Sequence, residues 1–246
     1  MTRAPDLFPA HAWCLFLDVD GTLLDITDTP FDTRADEGLK SILRHVADRL
    51  GGALALVSGR SIDYLDGLFA PLRLPIAGLH GVERRTASGM LHGRDVDASR
   101  LDAARTTLGA LVAAHPGTVL EDKGRTVAVH FRLAPQFDLV IGRAVADVAA
   151  TLGPSYHVQH GDMMLEIKPT GFSKGAAIRD FMQETPFSGK RPVFVGDDLT
   201  DLDGFKVVEA HGGTSIGVGA RVNGQCQLSG PPAVRAWLEG IATRNA

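Results

Sequence analysis

Two carboxylates, Asp18 and Asp20, stand one residue apart where the apolar run Trp13 to Leu17 ends, in Leu17-Asp18-Val19-Asp20-Gly21-Thr22. Successive strand side chains point to opposite faces, so these two can project to the same side. Like charges this close repel, and one would stay protonated unless a cation neutralised them. A hard divalent ion that prefers oxygen ligands, typically Mg²⁺, resolves the conflict. Gly21 lets the backbone turn sharply and leaves both acids at the rim of a sheet. The chemistry this suits is attack by an aspartate on a phosphate held against it by the metal. The competing reading is a hairpin in which Asp20-Gly21 closes a turn between two strands.

Three further segments favour the first reading. Ser58-Gly59-Arg60 follows a second apolar run and leads into a helix, so a hydroxyl and free N–H groups can hold phosphate oxygens. By itself such a serine reads as a helix N-cap. Lys174 opens a helix after Pro169-Thr170-Gly171-Phe172-Ser173; alone it is a surface lysine, but beside the acids it would supply one positive charge to phosphoryl oxygens. Val193-Phe194-Val195-Gly196-Asp197-Asp198-Leu199-Thr200-Asp201 is an apolar strand emptied into three acids. One acid there would merely complement a helix dipole, whereas three exceed what capping needs and complete an oxygen-ligand set.

The elements that must position these residues alternate. Trp13 to Val19 reads as a buried strand. Asp36 to Leu50 reads as a helix, with Leu39, Ile42, Leu43, Val46 and Leu50 at helical spacing. Ala53 to Val57 is a strand, Ile62 to Phe69 a helix and Leu74 to Gly78 a strand. This rhythm predicts a parallel sheet flanked by helices. The middle differs: helices over Leu101 to Ala114 and Phe137 to Leu152, and strands over Thr126 to Arg132, Tyr156 to Gln159 and Met163 to Ile167. Alternating strands with one polar face predict a sheet covered on a single side. After Pro169 the first rhythm returns, with a helix over Ser173 to Met182, a strand over Pro192 to Val195, and a closing helix over Pro231 to Ile241. The fold class is therefore α/β: a Rossmann-like core in two pieces, 1–82 and 165–246, with an α+β domain inserted over 83–164. In the parallel sheet all four chemistry-bearing segments fall at or beside strand carboxyl ends, where ligands bind.

The bulk properties are those of an ordinary soluble globular protein. The 246 residues are 44% hydrophobic and 22% charged with a net charge of −4, so no basic field invites nucleic acid or an anionic membrane. Two cysteines make neither a disulfide framework nor a zinc site, and Cys14 reads as a small core residue. No apolar run is long enough to span a bilayer, and a start carrying Asp6 and Pro9 does not read as a signal peptide. The expected compartment is the cytoplasm.

In order, the four segments (DVDGT, SGR, Lys, GDDLTD) resemble the motifs of the haloacid dehalogenase superfamily, and the insertion resembles its type II cap. The resemblance implies that Asp18 is the nucleophile and forms an aspartyl-phosphate. Asp20 would protonate the leaving alcohol and then activate water, while Ser58 and Lys174 hold the phosphoryl group. Mg²⁺ would be ligated by Asp18, Asp197 and the Asp20 backbone carbonyl, with Asp201 and Asp198 orienting metal-bound water and Lys174.

The insert adds polar residues. Glu121-Asp122-Lys123 precedes a strand on which His130 and Arg132 share a face, and alternation alone predicts that this face is solvated. Glu166 sits in an apolar run, where a carboxylate needs a partner or a ligand. Charged groups of this kind hold sugars by bridging hydroxyls. Gly78-Leu79-His80-Gly81 with Glu83, the group Glu121, Lys123, His130 and Arg132, and Leu165-Glu166-x-x-Pro169-x-Gly171-x-x-Lys174-Gly175 resemble the trehalose-6-phosphate phosphatase family over roughly residues 13–218. Lys168 departs from the arginine many relatives carry. The resemblance implies hydrolysis of trehalose 6-phosphate, a small-molecule substrate, with His80, Gly81, Glu121, Lys123, His130, Arg132 and Glu166 binding it. The alternatives are a phosphatase of sucrose or glucosylglycerol phosphate, a sugar phosphomutase, and a non-catalytic sugar-phosphate sensor. A sensor would need neither Asp18 nor Asp20.

Overall fold

The computed structural model describes residues 4–7, 9–27, 32–93 and 98–243. Among these, the chain divides into two compact units, one of residues 4–27, 32–92 and 173–243, the other of residues 93–172.

The first unit begins with β1 (Trp13–Leu17), in which all five side chains are buried, followed by α1 (Glu37–Arg49), β2 (Leu54–Val57), α2 (Ile62–Phe69) and β3 (Ile76–Gly78). Two short strands follow, β4 (Glu83–Arg85) and β5 (Leu91–Gly93). The second unit holds α3 (Asp102–Ala114), β6 (Val119–Asp122), β7 (Val127–His130), α4 (Asp138–Leu152), β8 (Tyr156–Gly161) and β9 (Met164–Pro169). The chain then returns to the first unit through α5 (Lys174–Phe181), β10 (Arg191–Gly196), α6 (Leu202–Ala210), β11 (Thr214–Val218), β12 (Cys226–Leu228) and α7 (Pro231–Thr243).

The larger sheet has the order β12-β11-β10-β1-β2-β3-β4-β5, parallel from β12 to β3 and antiparallel between β3 and β4. Leu15, Phe16 and Leu17 of β1 lie between Val193, Phe194 and Val195 of β10 and Leu54, Ala55 and Leu56 of β2. Strands buried on both faces must be apolar throughout, which is why these three read as unbroken hydrophobic runs. The chain leaves β1 toward β2 on one side and comes back as β10 on the other. The carboxyl ends of β1 and β10 therefore form the switch point where α/β sheets bind ligands.

The second unit has its own core. Its antiparallel sheet, β6-β7-β9-β8, buries Val127, Val129, Leu165 and Ile167 with Leu101 and Leu108 and with Ile141 and Val145 of α4. Ala128, Glu166 and Lys168 alternate with those strand residues and point to the other face.

The boundaries fall at 93 and 172, where the sequence suggests 83 and 164. Rising polarity at Glu83-Arg84-Arg85 looks like the end of a buried sheet. Yet Arg84 pairs with Glu184 at 2.7 Å and Arg85 with Asp66 at 2.6 Å, so β4 stays in the first sheet with its two arginines buried and ion-paired. At the other end, β9 pairs with both β7 and β8 and so belongs to the second unit. Strands β4, β5, β6, β11 and β12 are additions to the sequence reading; each is short or too polar to show a period.

Candidate active site

The register of β1 with β10 sets Leu17 opposite Val195, so Asp18 and Asp197 emerge side by side. The N–H of Asp18 continues the ladder to the Val195 carbonyl at 3.0 Å. Gly21 turns the chain at φ 79°, and a Cβ there would lie 2.2 Å from Asp197 Oδ2, so only glycine fits. Thr22, fully buried, donates its hydroxyl to Asp197 Oδ1 at 2.9 Å. A single 3₁₀ turn, Leu199–Asp201, follows β10 and buries Asp201. Asp201 Oδ2 accepts the backbone N–H groups of Asp197 and Asp198, both at 3.0 Å, while its Oδ1 takes Lys174 Nζ at 2.7 Å. Lys174 also reaches Asp18 Oδ1 at 2.9 Å. Ser173 caps α5 by accepting from the Ala176 N–H, and Asp203 Oδ2 accepts from the Gly175 N–H at 3.0 Å, so both ends of the first turn that carries Lys174 are held.

Three carboxylates and one ammonium are thus gathered out of water. Burial pushes the Asp18 carboxyl well above its ordinary range, with Asp201 and Asp197 adding to the effect and Lys174 opposing it. Burial and Asp201 push Asp197 up to about 6. Burial likewise raises Asp201, against the pull of Lys174. Burial alone would lower Lys174, but Asp18 and Asp201 outweigh it and hold the ammonium charged. One cation among three acids leaves an excess of negative charge. Oxygen atoms of Asp18, Asp197 and Asp201 lie within 4.8 Å of one another, a donor set that fits a hard cation. Asp201 spends its oxygens on Lys174 and two backbone N–H groups, so it positions the others more than it offers itself.

The uncompensated charge carries a stability prediction. Asp197 has a higher pKa in the fold than its ordinary 3.8, so its charge costs stability above about pH 6 and the cost fades as pH falls toward 4. Asp197→Asn keeps an oxygen for the Thr22 hydroxyl and removes the charge. With EDTA present it should stabilise the protein at about pH 8 by up to about 3 kcal/mol, and the gain should disappear near pH 4. Urea titrations at the two pH values check this; a destabilised variant at pH 8 would show that the cluster is not strained by its charges.

Asp20 is placed apart from the other acids. Its carboxylate turns to Arg60, accepting Nε at 2.9 Å and Nη2 at 2.8 Å, and it is not in the three-carboxylate group. Ser58 is buried at the end of β2 and accepts the Arg60 N–H at 3.1 Å. The helix it was expected to open begins later, at Ile62, and is capped by Ser61. His80 is buried with φ 55°, after Leu79 at φ 50°, and its ring lies against Gly59. Two left-handed non-glycine residues in a row are backbone strain, which persists where the surroundings over-determine it. A Cβ on Gly81 would lie 2.9 Å from the Ser173 carbonyl oxygen, so glycine lets the chain pass close to the start of α5.

In the second unit the register builds two polar rows across the four strands. Glu121, Ala128, Glu166 and Gln159 face one another, and beside them run Lys123, Thr126, Lys168 and His157. Glu166 is fully buried and accepts the Thr126 hydroxyl at 2.6 Å and Lys123 Nζ at 3.3 Å. Lys168, also fully buried, donates to Gln159 Oε1 at 2.8 Å. Nε2 of His130 hydrogen-bonds Glu121 Oε2 at 2.8 Å. The expectation of a solvated face is therefore overturned: these charges are buried and linked, since a buried ion without partners is too costly. Arg132 lies beyond the end of β7 and pairs with Asp162 at 2.6 Å, apart from the His130–Glu121 bond. Sequence reasoning missed Thr22, Gln159 and Asp203 and assigned no task to Arg60. Equal parity of Glu166 and Lys168 on one strand was the available signal for the second row.

The sheet order and switch point are a fold shared with a haloacid dehalogenase-like hydrolase from Bacteroides thetaiotaomicron, which superposes with a TM-score of 0.61 at 16% identity, covering 93% of this chain and 98% of its own. The trehalose-phosphatase family model matches residues 16–231. A probable trehalose-phosphate phosphatase of Sinorhizobium fredii is 42% identical over 229 residues, covering 93% of this chain and 86% of its own. The trehalose-6-phosphate phosphatase of Escherichia coli K12 is 41% identical over 244 residues, covering 99% and 91%. The crystal structure of a trehalose-6-phosphate phosphatase related protein superposes with a TM-score of 0.79 at 25% identity, covering 93% and 96%. The chain belongs to the trehalose-phosphatase family.

Proposed function

We propose that this chain hydrolyses trehalose 6-phosphate to trehalose and inorganic phosphate, the last step of trehalose biosynthesis, with Mg²⁺ as its metal. The single observation that carries the substrate is the buried, linked group of Glu121, Lys123, Thr126 and Glu166 drawn from both rows, an arrangement of charged acceptors and donors suited to a molecule rich in hydroxyls. His130 extends that polar set through Glu121, with Arg132 as a further sugar contact on the same unit, while His80 and Gly81 flank Ser58 and Lys174 of the first unit. Relatives named for the same substrate support the reading.

In the reaction Asp18 attacks phosphorus. An oxygen–phosphorus bond forms as the ester bond breaks, and Asp20 gives its proton to the departing sugar oxygen. Asp20 then takes a proton from water, the water oxygen bonds to phosphorus, and Asp18 is released with inorganic phosphate. Asp18 and Asp197, with Asp201 beside them and the Asp20 backbone carbonyl, would hold Mg²⁺, which when bound would supply positive charge to the phosphoryl oxygens. Lys174 fixes Asp18 in line and adds its own charge; Ser58 offers a hydroxyl to the same group. The reaction is assigned to the cytoplasm, in keeping with two free cysteines. No helix among the described residues is long and apolar enough to cross a membrane.

Phosphate release over a panel of sugar phosphates with Mg²⁺ and with EDTA tests the assignment, and two variants sharpen it. Glu166→Ala and Lys123→Ala should each lower kcat/KM for trehalose 6-phosphate about ten- to a hundredfold, as one lost charge-assisted hydrogen bond of about 1.5–3 kcal/mol implies. Both should largely spare p-nitrophenyl phosphate, which has no sugar to hold. Equal losses on both esters would make these residues supports of the fold, and full activity in EDTA would remove the metal from the reading.

A further inference from the structure

We infer that Arg60 is the positioning residue for Asp20, and that it acts on the reaction through Asp20 rather than by holding the phosphate. Among the described residues the Asp20 carboxylate makes its side-chain hydrogen bonds to Arg60 alone, one to each oxygen, at 2.9 and 2.8 Å. Asp18, by contrast, is held by Lys174, Asp197 by Thr22, and Asp201 by Lys174 and two backbone N–H groups. Asp20 sits on a turn, and its side chain is about one-third exposed. Without Arg60 its χ angles would be free.

The anchor is itself rigid. The Arg60 guanidinium lies 4.6 Å over the Tyr64 ring, and Nη2 also donates to the Thr33 hydroxyl at 3.2 Å. The Arg60 N–H is taken by Ser58 and its carbonyl by the Leu79 N–H at 3.0 Å. A planar fork held by Tyr64 and Thr33, on a backbone held at its N–H and carbonyl, presents two parallel donors, which orient a carboxylate as a single ammonium cannot. A group that moves a proton to a leaving oxygen must be held in hydrogen-bond reach of it, and this pair sets where Asp20 starts from. Nε and Nη2 of this fork are committed to Asp20 and Thr33.

The inference rests on Asp20 being the proton donor, and a double-mutant cycle separates the two claims. Asp20→Asn, Arg60→Gln and the double variant are assayed with Mg²⁺ on trehalose 6-phosphate and on p-nitrophenyl phosphate, whose leaving group needs no proton. Arg60→Gln should lower kcat/KM for the sugar ester about tenfold or more, leave that for the aryl ester within about threefold, and add less than about twofold on the Asp20→Asn background. Arg60→Lys, which keeps the charge and loses the fork, should fall between wild type and Gln, and it serves if the Gln variant does not fold. Losses that multiply in the double variant, or equal losses on both esters, would overturn the positioning role and put Arg60 on the phosphate or in the fold. An Asp20→Asn variant with normal turnover of the sugar ester would overturn the proton-donor assignment itself, and with it this inference.

Discussion

Asp18→Asn should lower phosphate release from every ester by on the order of 10⁴-fold or more while leaving the protein folded. The amide is nearly isosteric but has no electron pair basic enough to attack phosphorus, and removing a nucleophile costs far more than weakening a contact. The fold should survive because Lys174 keeps Asp201 at 2.7 Å when Asp18 is neutralised. In the metal-free protein the substitution should be neutral or stabilising, because burial and its acidic neighbours already disfavour the Asp18 charge. Initial rates on a sugar ester and an aryl ester, with thermal melts in EDTA, check both parts. Residual activity within about tenfold of wild type would place the nucleophile elsewhere.

Asp20→Asn should behave differently on every axis. General acid–base help is worth roughly 10²–10⁴ in rate, so turnover of trehalose 6-phosphate should fall by that factor with little change in KM. The aryl ester should lose much less in kcat/KM, since its leaving group departs unprotonated. Stability should move in the opposite sense from the Asp18 variant. Asp20 balances Arg60, whose side chain is 10% exposed, and an amide would set an N–H group against a guanidinium fork. A loss of about 1.5–3 kcal/mol follows from one charge-assisted bond given up beside a buried cation. A rise in KM at unchanged kcat would make Asp20 a binding residue and remove it from the proton transfers.

These two aspartates show what reading residues in order can and cannot reach. Their chemistry is local: a buried apolar strand that empties into acids at a glycine announces a charged site at a sheet rim, because nothing in packing needs it. The helices were legible for the same reason. Asp36 and Leu50, read as the ends of the first helix, are the caps of α1, and α2 spans Ile62–Phe69 as its apolar spacing requires. Buried parallel strands are unbroken hydrophobic runs, so β1, β2 and β10 were visible as well.

What the sequence determined by itself, then, is the inventory: an α/β chain with an inserted α+β unit, and four chemistry-bearing segments at or beside strand ends. What the tertiary structure decided is who stands next to whom. Hydrogen-bond pairing between β1 and β10 joins residues nearly 180 apart in the chain, and no periodicity encodes that register. It is this pairing that sets Asp197 beside Asp18 and draws Lys174 between Asp18 and Asp201. The same holds for burial. Alternation marks one face of β7 and β9 as polar, but only the assembled sheet shows Glu166 and Lys168 fully buried and hydrogen-bonded across strands. Asp18 and Asp20 share a sequence motif, yet one lies in a ring of acids and the other in the grip of Arg60, forty residues on. Local spacing fixes which way a side chain can point; the long-range contacts, each worth more than any rotamer preference, choose its partner.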